Sequence, residues 1–247
     1  MRIKKEKENI QYNDTKKFFQ NRAKKYQEDN PYSVTMYQDN NPALVRERNQ
    51  KEVQKLLPQL HLSADSKILD IACGIGRWAE AVQTDIDRYC GIDFSGELIK
   101  IACERNEREN FFFYEGSALE TEKVMGEKQK GVLFNTILIM GAQIYFNDAD
   151  IPPFYTQVCN LCAGHAVICM REPIGIEDRL TLKEFFSEEL QDDYNAIYRT
   201  RKEYQIFQEN TLLKRGFSVK EEGFLFEGDA LNNRKETAQY YWVFERA

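Results

Sequence analysis

The pattern of hydrophobic and polar residues divides the chain into two parts. The first part is highly charged, and two stretches in it, the second over 43–57, space their apolar residues at helical intervals. The residues that share one face of the first stretch are Phe18, Phe19, Ala23 and Tyr26. From Lys67 onward, short apolar runs alternate with longer amphipathic ones, which is typical of strands and helices around a mostly parallel sheet. The sequence therefore predicts one domain, with an N-terminal helical cap at 1–60 and the main fold at 61–247.

Seven apolar runs predict strands, and helical segments separate the first five. The predicted strands cover 67–71, 88–92, 110–114, 131–140, 166–171, 217–226 and 239–245. A short polar stretch joins the last two, which favours an antiparallel return of the chain. We therefore expect an α/β fold, a Rossmann-like three-layer αβα sandwich with a mostly parallel seven-stranded sheet and an antiparallel edge strand. The charged and aromatic insertion after the fifth strand, 173–199, is predicted to form a lid over an acceptor.

Composition narrows the class of protein. The 247 residues include 34 Lys and Arg against 40 Asp and Glu, a formal charge of −6, and 42% are hydrophobic. A disordered chain or a coiled coil fits these values poorly, and the acidity argues against nucleic acid or an anionic membrane as a partner. No apolar run of signal-peptide length stands at the N-terminus, so we expect a cytoplasmic protein. We also expect a monomer or a homodimer.

The cysteines predict core packing and no metal site. They are Cys73, Cys90, Cys103, Cys159, Cys162 and Cys169, and most of them lie in apolar segments, so we expect buried thiols. Cys159 and Cys162 form a CxxC pattern, but neither a second such pattern nor a nearby histidine completes a zinc set.

The strongest chemical signal is the segment KILDIACGIGRWA, 67–79, in which a predicted strand runs into Gly74 and Gly76 and then into a helix. Glycines at such a turn let a ligand approach the backbone closely. The pattern also satisfies the relaxed dinucleotide fingerprint. Asp70, at the carboxyl end of the strand, favours an ammonium group over a pyrophosphate, which like charge would repel. Asp93, at the end of the next strand, can accept hydrogen bonds from both hydroxyls of a ribose.

A ligand with an amino-acid end, a ribose and an adenine but no phosphate satisfies both carboxylates, and S-adenosylmethionine (SAM) is such a ligand. At these residues the sequence resembles the class I SAM-dependent methyltransferase family, through DIACGIG at 70–76, GIDFS at 91–95 and EGSAL at 115–119. The resemblance implies SAM as the cofactor and S-adenosylhomocysteine (SAH) as its product.

The resemblance also implies roles for individual residues. The expected contacts are Gly74 and Gly76 at the methionine part, Asp93 at the ribose, Phe94 beside the adenine, and Ser117 with Ala118 at the adenine edge. Many family members carry Asp where this chain has Ser117. The other predicted cofactor-binding residues are Tyr37, Asp70, Ala72, Met140 and Arg48. Arg48 and Arg46 are alternatives for pairing with the SAM carboxylate.

The acceptor is expected at the carboxyl ends of the strands, where open parallel sheets bind their ligands. The predicted catalytic residues are Tyr145, Arg171, Glu172, Tyr198 and Arg199. Further candidates are Arg179, Tyr194, Glu203, Tyr204, Arg234, Lys235 and Glu236. Neither His61 nor His165 lies at these strand ends, so neither is expected to act as a base. The arginines and tyrosines favour a small polar or anionic acceptor that arginines position.

A second resemblance concerns the acceptor. The order of GAxIYxND, REPxG, YxAIYRTxxEY and KETxQY resembles bacterial methyltransferases that modify polysaccharides and secondary metabolites. It makes a sugar, a sugar phosphate or a similar metabolite the leading acceptor, methylated on oxygen or nitrogen. Two alternatives stay open, namely a protein or RNA methyltransferase and a non-catalytic module that binds SAM or a dinucleotide.

Overall fold

The structure, a computed structural model, describes residues 1–228, 230–232 and 234–247. Its strands are β1 (Arg2–Lys4), β2 (Lys67–Ile71), β3 (Arg88–Asp93), β4 (Phe111–Glu115), β5 (Phe134–Met140), β6 (Cys162–Gly175), β7 (Leu180–Ser187), β8 (Asp192–Tyr198), β9 (Ser218–Phe224) and β10 (Thr237–Arg246). Its α-helices are α1 (Tyr12–Ala23), α2 (Ser33–Met36), α3 (Pro42–Leu56), α4 (Arg77–Ala81), α5 (Gly96–Arg105), α6 (Thr121–Lys128), α7 (Ile151–Leu161) and α8 (Arg201–Asn210).

A seven-stranded sheet has the strand order β4-β3-β2-β5-β6-β10-β9. Strands β2 to β6 run parallel, and β10 runs antiparallel to both of its neighbours, β6 and β9. All seven predicted runs form strands of this sheet, so the predicted α/β fold is confirmed. The chain reverses direction along the sheet at β2, between β3 and β5, and such a switch point leaves a crevice at the carboxyl ends of the strands.

Strand β2 shows why the apolar runs become buried strands. Successive side chains of a strand point to opposite faces, and a central parallel strand is covered on both. Leu69 and Ile71 pack into the core on one face of the sheet, whereas Ile68 packs with Trp78 and Tyr89 on the other. The core is therefore continuous on both sides, and helices cover it to give three layers.

The predicted lid at 173–199 contributes two strands to a second, three-stranded sheet in the order β1-β7-β8. Strands β7 and β8 form an antiparallel pair, and Arg2–Lys4 adds to β7 opposite Leu180–Leu182. The segment predicted as a helical cap, 1–60, therefore also contains a strand, β1. Three residues are too few for a periodic pattern, and the partner strand lies far along the chain.

The cap and the lid contact each other above the carboxyl ends of the parallel strands. Helix α1 packs on β8, and the rings of Phe18 and Tyr194 meet edge to face with their centroids 5.3 Å apart. Helix α3 reaches the end of β6, where Glu52 forms an ion pair with Arg171 at 2.9 Å. These contacts roof the crevice that the strand order creates.

The prediction of buried thiols holds for five of the cysteines, and Cys103 is exposed because it lies on the outer face of α5. Within residues 1–228, 230–232 and 234–247, no helix has both the length and the apolar composition needed to cross a bilayer. In the same residues, no cluster of three or more His, Cys, Asp or Glu side chains is arranged to hold a metal ion.

Candidate active site

A cavity of about 610 Å³ occupies this crevice. Its floor consists of residues at the carboxyl ends of the five parallel strands, including Ala72, Asp93, Ser117, Met140 and Arg171. Its roof comes from α1, from the segment after α2, from α3 and from β8, through Phe19, Tyr37, Arg48, Tyr194 and Tyr198. Most of the predicted site residues thus meet in one cavity.

The glycine loop after β2 has an unusual backbone. Ala72, Gly74 and Gly76 have φ angles of 61°, 56° and 75°, in the left-handed region. A Cβ on Gly74 would stand 2.7 Å from Cγ2 of Thr35, so this glycine lets α2 approach the loop. Gly74 and Ala72 line the cavity, but Gly76 does not, because it is the N-cap of α4 and packs against Asn106. The predicted contact of Gly76 with a ligand therefore has no support in the geometry.

Asp93 holds the glycine loop to the end of β3. Its Oδ2 accepts a hydrogen bond from the Gly74 N–H at 3.0 Å, and its Oδ1 accepts one from the Ser95 N–H at 2.9 Å. Each carboxylate oxygen can accept a further bond, so two hydroxyls of a ligand can still be bound. Burial raises the pKa of Asp93 to about 6, and the two N–H donors limit that rise. Asp93 lines the cavity, as a ribose-binding residue must.

Asp70 lies behind the loop, outside the cavity lining. Its carboxylate is buried and accepts a hydrogen bond from the Tyr89 hydroxyl at 2.6 Å. Burial raises the pKa of Asp70 to about 7. The expectation that Asp70 directly receives an ammonium group is therefore not matched by its position. On β2 it shares the face of Ile68, and its side chain points between the sheet and the helical layer.

The predicted adenine end is a slot beside the ends of β3 and β4. Phe94, Gly116, Ser117 and Ala118 line it from the ends of β3 and β4. The Ser117 Oγ accepts a hydrogen bond from the Leu119 N–H at 3.2 Å and so caps the short helical turn that follows. The O–H group of Ser117 remains able to donate. Phe19 of α1 closes the slot and meets the Phe94 ring edge to face at 5.7 Å.

Helix α3 contributes an arginine that has no close ion-pair partner among the described residues. Arg48 is only 5% exposed and lines the cavity, and burial lowers its pKa. Its Nε has no hydrogen-bond partner and its guanidinium no carboxylate within 4.0 Å, among the residues that the structure describes. Arg46 points to solvent, so the structure distinguishes the two predicted alternatives. A buried, unpaired cation of this kind is suited to an anionic group of a ligand.

The comparisons with known proteins agree with this geometry. Residues 68–164 match the family model described as a methyltransferase domain. This part of the chain is a methyltransferase domain. The predicted resemblance to class I SAM-dependent methyltransferases is thereby confirmed at the level of family and fold.

Individual relatives of the methyltransferase domain are distant. The chain is 29% identical over 72 residues to the 23S rRNA (uracil(1939)-C(5))-methyltransferase RlmD of Pasteurella multocida, a match over 28% of this chain and 16% of that protein. The chain thus spans about a sixth of that relative's length. The N-methyltransferase NodS of Bradyrhizobium japonicum, solved with SAH, superposes with a TM-score of 0.59 at 13% identity, over 93% of this chain and 98% of NodS. The DhpI–SAH complex superposes with a TM-score of 0.62 at 14% identity, over 94% of this chain and 95% of DhpI.

Glu52 of α3 is a residue of the methyltransferase site that the sequence patterns did not indicate. Its Oε2 lies 2.9 Å from the Arg171 Nε, and its Oε1 accepts hydrogen bonds from Arg77 and from the Trp78 Nε1–H at 3.1 Å. Burial alone would raise its pKa, but Arg171 and Arg77 hold the pKa of Glu52 below its ordinary value. The position of Glu52 one turn after Arg48 on α3 is a signal that could have revealed it. Arg171 therefore lines the cavity with its positive charge balanced by Glu52.

Two predicted catalytic residues do not reach the cavity of the methyltransferase domain. Glu172 is buried and accepts hydrogen bonds from the Ala142 N–H at 3.1 Å and the Gln143 N–H at 3.0 Å. Arg199 is equally buried and donates to the Gln143 carbonyl at 2.8 Å and to Asp148. Both fix the segment that follows β5. Side chains alternate along a strand, so Glu172 points away from the cavity that Arg171 faces.

The remaining predicted residues line the methyltransferase cavity or brace its wall. Tyr145 follows β5 and lines the cavity together with Met140. Arg179 braces the lid by pairing with Asp148 and Glu203, both at 3.0 Å. Tyr204 is buried, and Glu236 pairs with Arg2 at the surface. The residues that could hold a cofactor are thus Tyr37, Arg48, Ala72, Gly74, Asp93, Phe94, Ser117, Ala118 and Met140.

Proposed function

We propose that this protein is a SAM-dependent methyltransferase that methylates an oxygen or nitrogen atom of a small polar acceptor. The observation that carries the proposal is the single cavity, which joins the Asp93 and Phe94 end to the Tyr145 and Arg171 end under one roof. Its volume of about 610 Å³ is that of a small-molecule site.

The cofactor half of the proposal rests on three complementary groups. Asp93 has free acceptor capacity for ribose hydroxyls, and Phe94 presents an aromatic face for adenine. Arg48, which has no carboxylate within 4.0 Å in the described part of the chain, is a cation suited to the methionine carboxylate. When bound there, SAM would supply a methyl group already activated on a positively charged sulfur.

The acceptor half is lined by hydroxyl, amide and aromatic groups. They include Tyr198, Asn232, Thr237 and Gln239, with Pro173 and Phe226 as apolar walls. Arg171 is compensated by Glu52, and Arg199 lies outside the cavity, so arginine positioning of an anion has less support than a hydroxyl- or amine-bearing acceptor. A sugar-like metabolite fits this lining. The roof of α1 and β8 restricts access by a folded protein or an RNA helix.

The chemical contribution of the chain is mainly placement. Methyl transfer is an in-line displacement, and much of its acceleration comes from holding the two reactants collinear in a dry site. Tyr145 and Tyr194 contribute buried rings to the acceptor end, and the half-buried Tyr37 packs edge to face on Tyr194. The Gln239 amide and the Thr237 hydroxyl can orient a polar acceptor from the opposite side.

Calorimetric titration with SAM, SAH and NAD tests the cofactor. We expect SAM and SAH to bind and NAD not to bind. Asp93→Asn should weaken SAH binding by about 10- to 150-fold, because a hydrogen bond to a charged acceptor contributes about 1.5–3 kcal/mol. The exposed Asp85→Asn variant is the matched control and should bind like the wild type. NAD binding, or equal affinities in the two variants, would contradict the proposal.

Methyl-labelled SAM incubated with separated cell fractions tests the acceptor. We expect label in the small-molecule fraction and no label in protein or RNA. Transfer that is confined to RNA or protein would replace the small-acceptor proposal with one of the macromolecular alternatives.

A further inference from the structure

The side chain of Gln239 lines the acceptor end of the cavity, and an arginine fixes which end of its amide faces a ligand. Strand β10 pairs Gln239 with Pro173 of β6, so Gln239 shares a face of the sheet with Arg171. Arg171 Nη1 donates a hydrogen bond to the Gln239 Oε1 at 3.3 Å. A guanidinium has donors only, so the Gln239 amide turns its oxygen towards Arg171 and its NH₂ group away from it.

Arg171 is itself held in place by three contacts. Its Nε lies 2.9 Å from the Glu52 Oε2, and its backbone carbonyl accepts a hydrogen bond from the Gly141 N–H at 2.6 Å. Gly141 also leaves room for the guanidinium, because a Cβ there would stand 2.6 Å from Arg171 Nη1. The oxygen of Gln239 therefore faces a donor whose position is fixed.

The backbone of Gln239 is fixed as well, but its NH₂ group is free. The Gln239 N–H donates to the Asn232 Oδ1 at 3.1 Å, and the Gln239 carbonyl accepts from the Leu225 N–H at 2.8 Å. The Gln239 Nε2 donates to no group of the described residues. A primary amide carries two N–H donors on its nitrogen, so both remain for a molecule in the cavity.

Two neighbouring polar side chains at this end already use their hydrogen-bonding groups. Asn232 accepts the Gln239 N–H and donates from Nδ2 to the Gly228 carbonyl at 3.3 Å. The Tyr198 hydroxyl accepts from Arg234 Nη1 at 3.0 Å and donates to the Tyr194 hydroxyl at 3.5 Å. Gln239 thus adds two directed donors to those of Arg171, and neither side chain presents an acceptor to the cavity.

This pair of donor-only groups matches an sp² oxygen. A ligand hydroxyl both donates and accepts, so beside these donors its own proton would find no partner on them. An ammonium group would bring donors against donors and a positive charge against Arg171, which disfavours it. The oxygen of an amide or a carboxylate has lone pairs and no proton, so it satisfies the Gln239 NH₂ group.

We propose that Gln239 determines which acceptor this protein takes, by donating to an amide or carboxylate oxygen of that molecule, an inference that rests on the proposed methyltransferase function. Arg171 is the positioning residue, since it acts through Gln239. The bonded oxygen is separate from the atom that is methylated, because the attacking atom needs its lone pair for the methyl carbon. The acceptor then carries both a hydroxyl or amine group and an sp² oxygen.

Ligand-observed NMR with three probes of similar shape tests the proposal on the free protein at neutral pH. Benzamide and benzoate carry an sp² oxygen, benzylamine carries an ammonium group, and the phenyl ring of each suits the aromatic walls at Tyr145 and Phe226. We expect the better of the two oxygen-bearing probes to bind about 10-fold more tightly than benzylamine. A preference for benzamide would identify an amide, and one for benzoate a carboxylate. Equal or tighter binding of benzylamine, or no binding of either oxygen-bearing probe, would overturn the proposal.

Gln239→Glu is the most informative variant, because it keeps the shape of the side chain and replaces its donors with acceptors. The new carboxylate can pair with Arg171, so we expect the fold to be retained. Benzoate should bind about 10-fold more weakly and benzylamine more tightly than in the wild type. The exposed Gln54→Glu on α3 is the matched control and should keep the wild-type order of the probes. The same order in Gln239→Glu would overturn the proposal.

Arg171→Lys tests the positioning role of Arg171. Lysine keeps a positive charge beside Glu52 but lacks the rigid fork that also reaches the Gln239 oxygen. The amide can then turn over, so the preference for the oxygen-bearing probe over benzylamine should shrink. A preference as large as that of the wild type would refute the positioning role.

Turnover and SAH binding separate this proposal from the proposed function. Gln239→Met should bind SAH like the wild type and keep its KM for SAM. The concentration of the small-molecule cell fraction that gives half-maximal methyl transfer should rise by about 2- to 12-fold, as expected for the loss of one hydrogen bond. An unchanged concentration would overturn the recognition role of Gln239. Absence of SAH binding in the wild type would contradict the proposed function instead, and the probe experiment would still decide the role of Gln239.

Discussion

Arg48 and Glu52 lie one turn apart on α3 and both line the cavity, but among the residues that the structure describes only Glu52 has ion-pair partners within 4.0 Å. Helix periodicity aligns the two side chains on one face. The contrast gives this face of the helix two functions. Glu52 binds Arg171 of β6 and Arg77 of α4, while Arg48 remains available to a ligand.

Arg48→Met should affect stability and binding in opposite directions. Removing a buried cation without a partner relieves a desolvation cost, so the free energy of unfolding of the free protein should rise. SAH affinity should fall by about 10- to 150-fold, as expected for the loss of a charge-assisted bond of about 1.5–3 kcal/mol. Thermal unfolding and calorimetry measure the two effects, and the exposed Arg46→Met is the control. Unchanged SAH affinity in Arg48→Met would contradict a role in binding.

Glu52→Gln should destabilise the protein strongly. The substitution leaves Arg77 and Arg171 with less compensation in a buried setting, and breaking such a network costs about 3–5 kcal/mol. Glu47→Gln on the same helix removes an exposed ion pair with Lys51 at 3.2 Å, which should cost less than about 1 kcal/mol. Urea unfolding of both variants measures the difference, and similar midpoints would show that the buried cluster contributes little.

Asp70 should make the free protein less stable as the pH rises. Its pKa is raised by burial to about 7 from an ordinary value of 3.8, so the folded state holds a proton that the unfolded state has lost. The stability linked to this proton is complete below the ordinary pKa and is lost as the pH rises through about 7.

Asp70→Asn should therefore raise the free energy of unfolding at about pH 8 relative to the wild type, and the difference should shrink towards about pH 4. Urea unfolding over this range measures it, and Asp85→Asn controls for the loss of an exposed charge. A difference between Asp70→Asn and the wild type that does not change with pH would show that Asp70 does not bind this proton.

Gly74→Ala should disturb the loop for two separable reasons. The new Cβ would lie 2.7 Å from Thr35 Cγ2, and its φ of 56° costs a residue with a side chain about 1–2 kcal/mol. The second substitution Thr35→Ala removes the clash but not the backbone cost, so the double variant should recover only part of the lost stability. Gly126→Ala, which meets nothing within 4 Å on α6, should be neutral or stabilising. Full recovery in the double variant would contradict the backbone cost.

The sequence predicted the parts of this molecule that depend on local pattern. The strands of the large sheet are apolar runs, and Asp93 stands at the end of one of them. Both the strands and Asp93 could therefore be located without tertiary information. Strand β6 continues to Gly175, past the predicted end at 171. Side chains therefore still alternate between the two faces of the sheet at Glu172, and this alternation sets its orientation. The short strand β1 and the partners of Glu52 depend on contacts between distant segments, and no local pattern encodes them.

The pairing of β1 with β7 joins the two halves of the cavity roof. Phe19 of α1 covers the predicted adenine end, Tyr194 and Tyr198 cover the acceptor end, and β1 links the segment before α1 to the hairpin that carries both tyrosines. The hairpin cannot swing away without breaking this strand pairing and separating Phe18 from Tyr194. In a methyltransferase built this way, both products would leave through one cooperative opening, so weakening β1 would accelerate ligand exchange at both ends together.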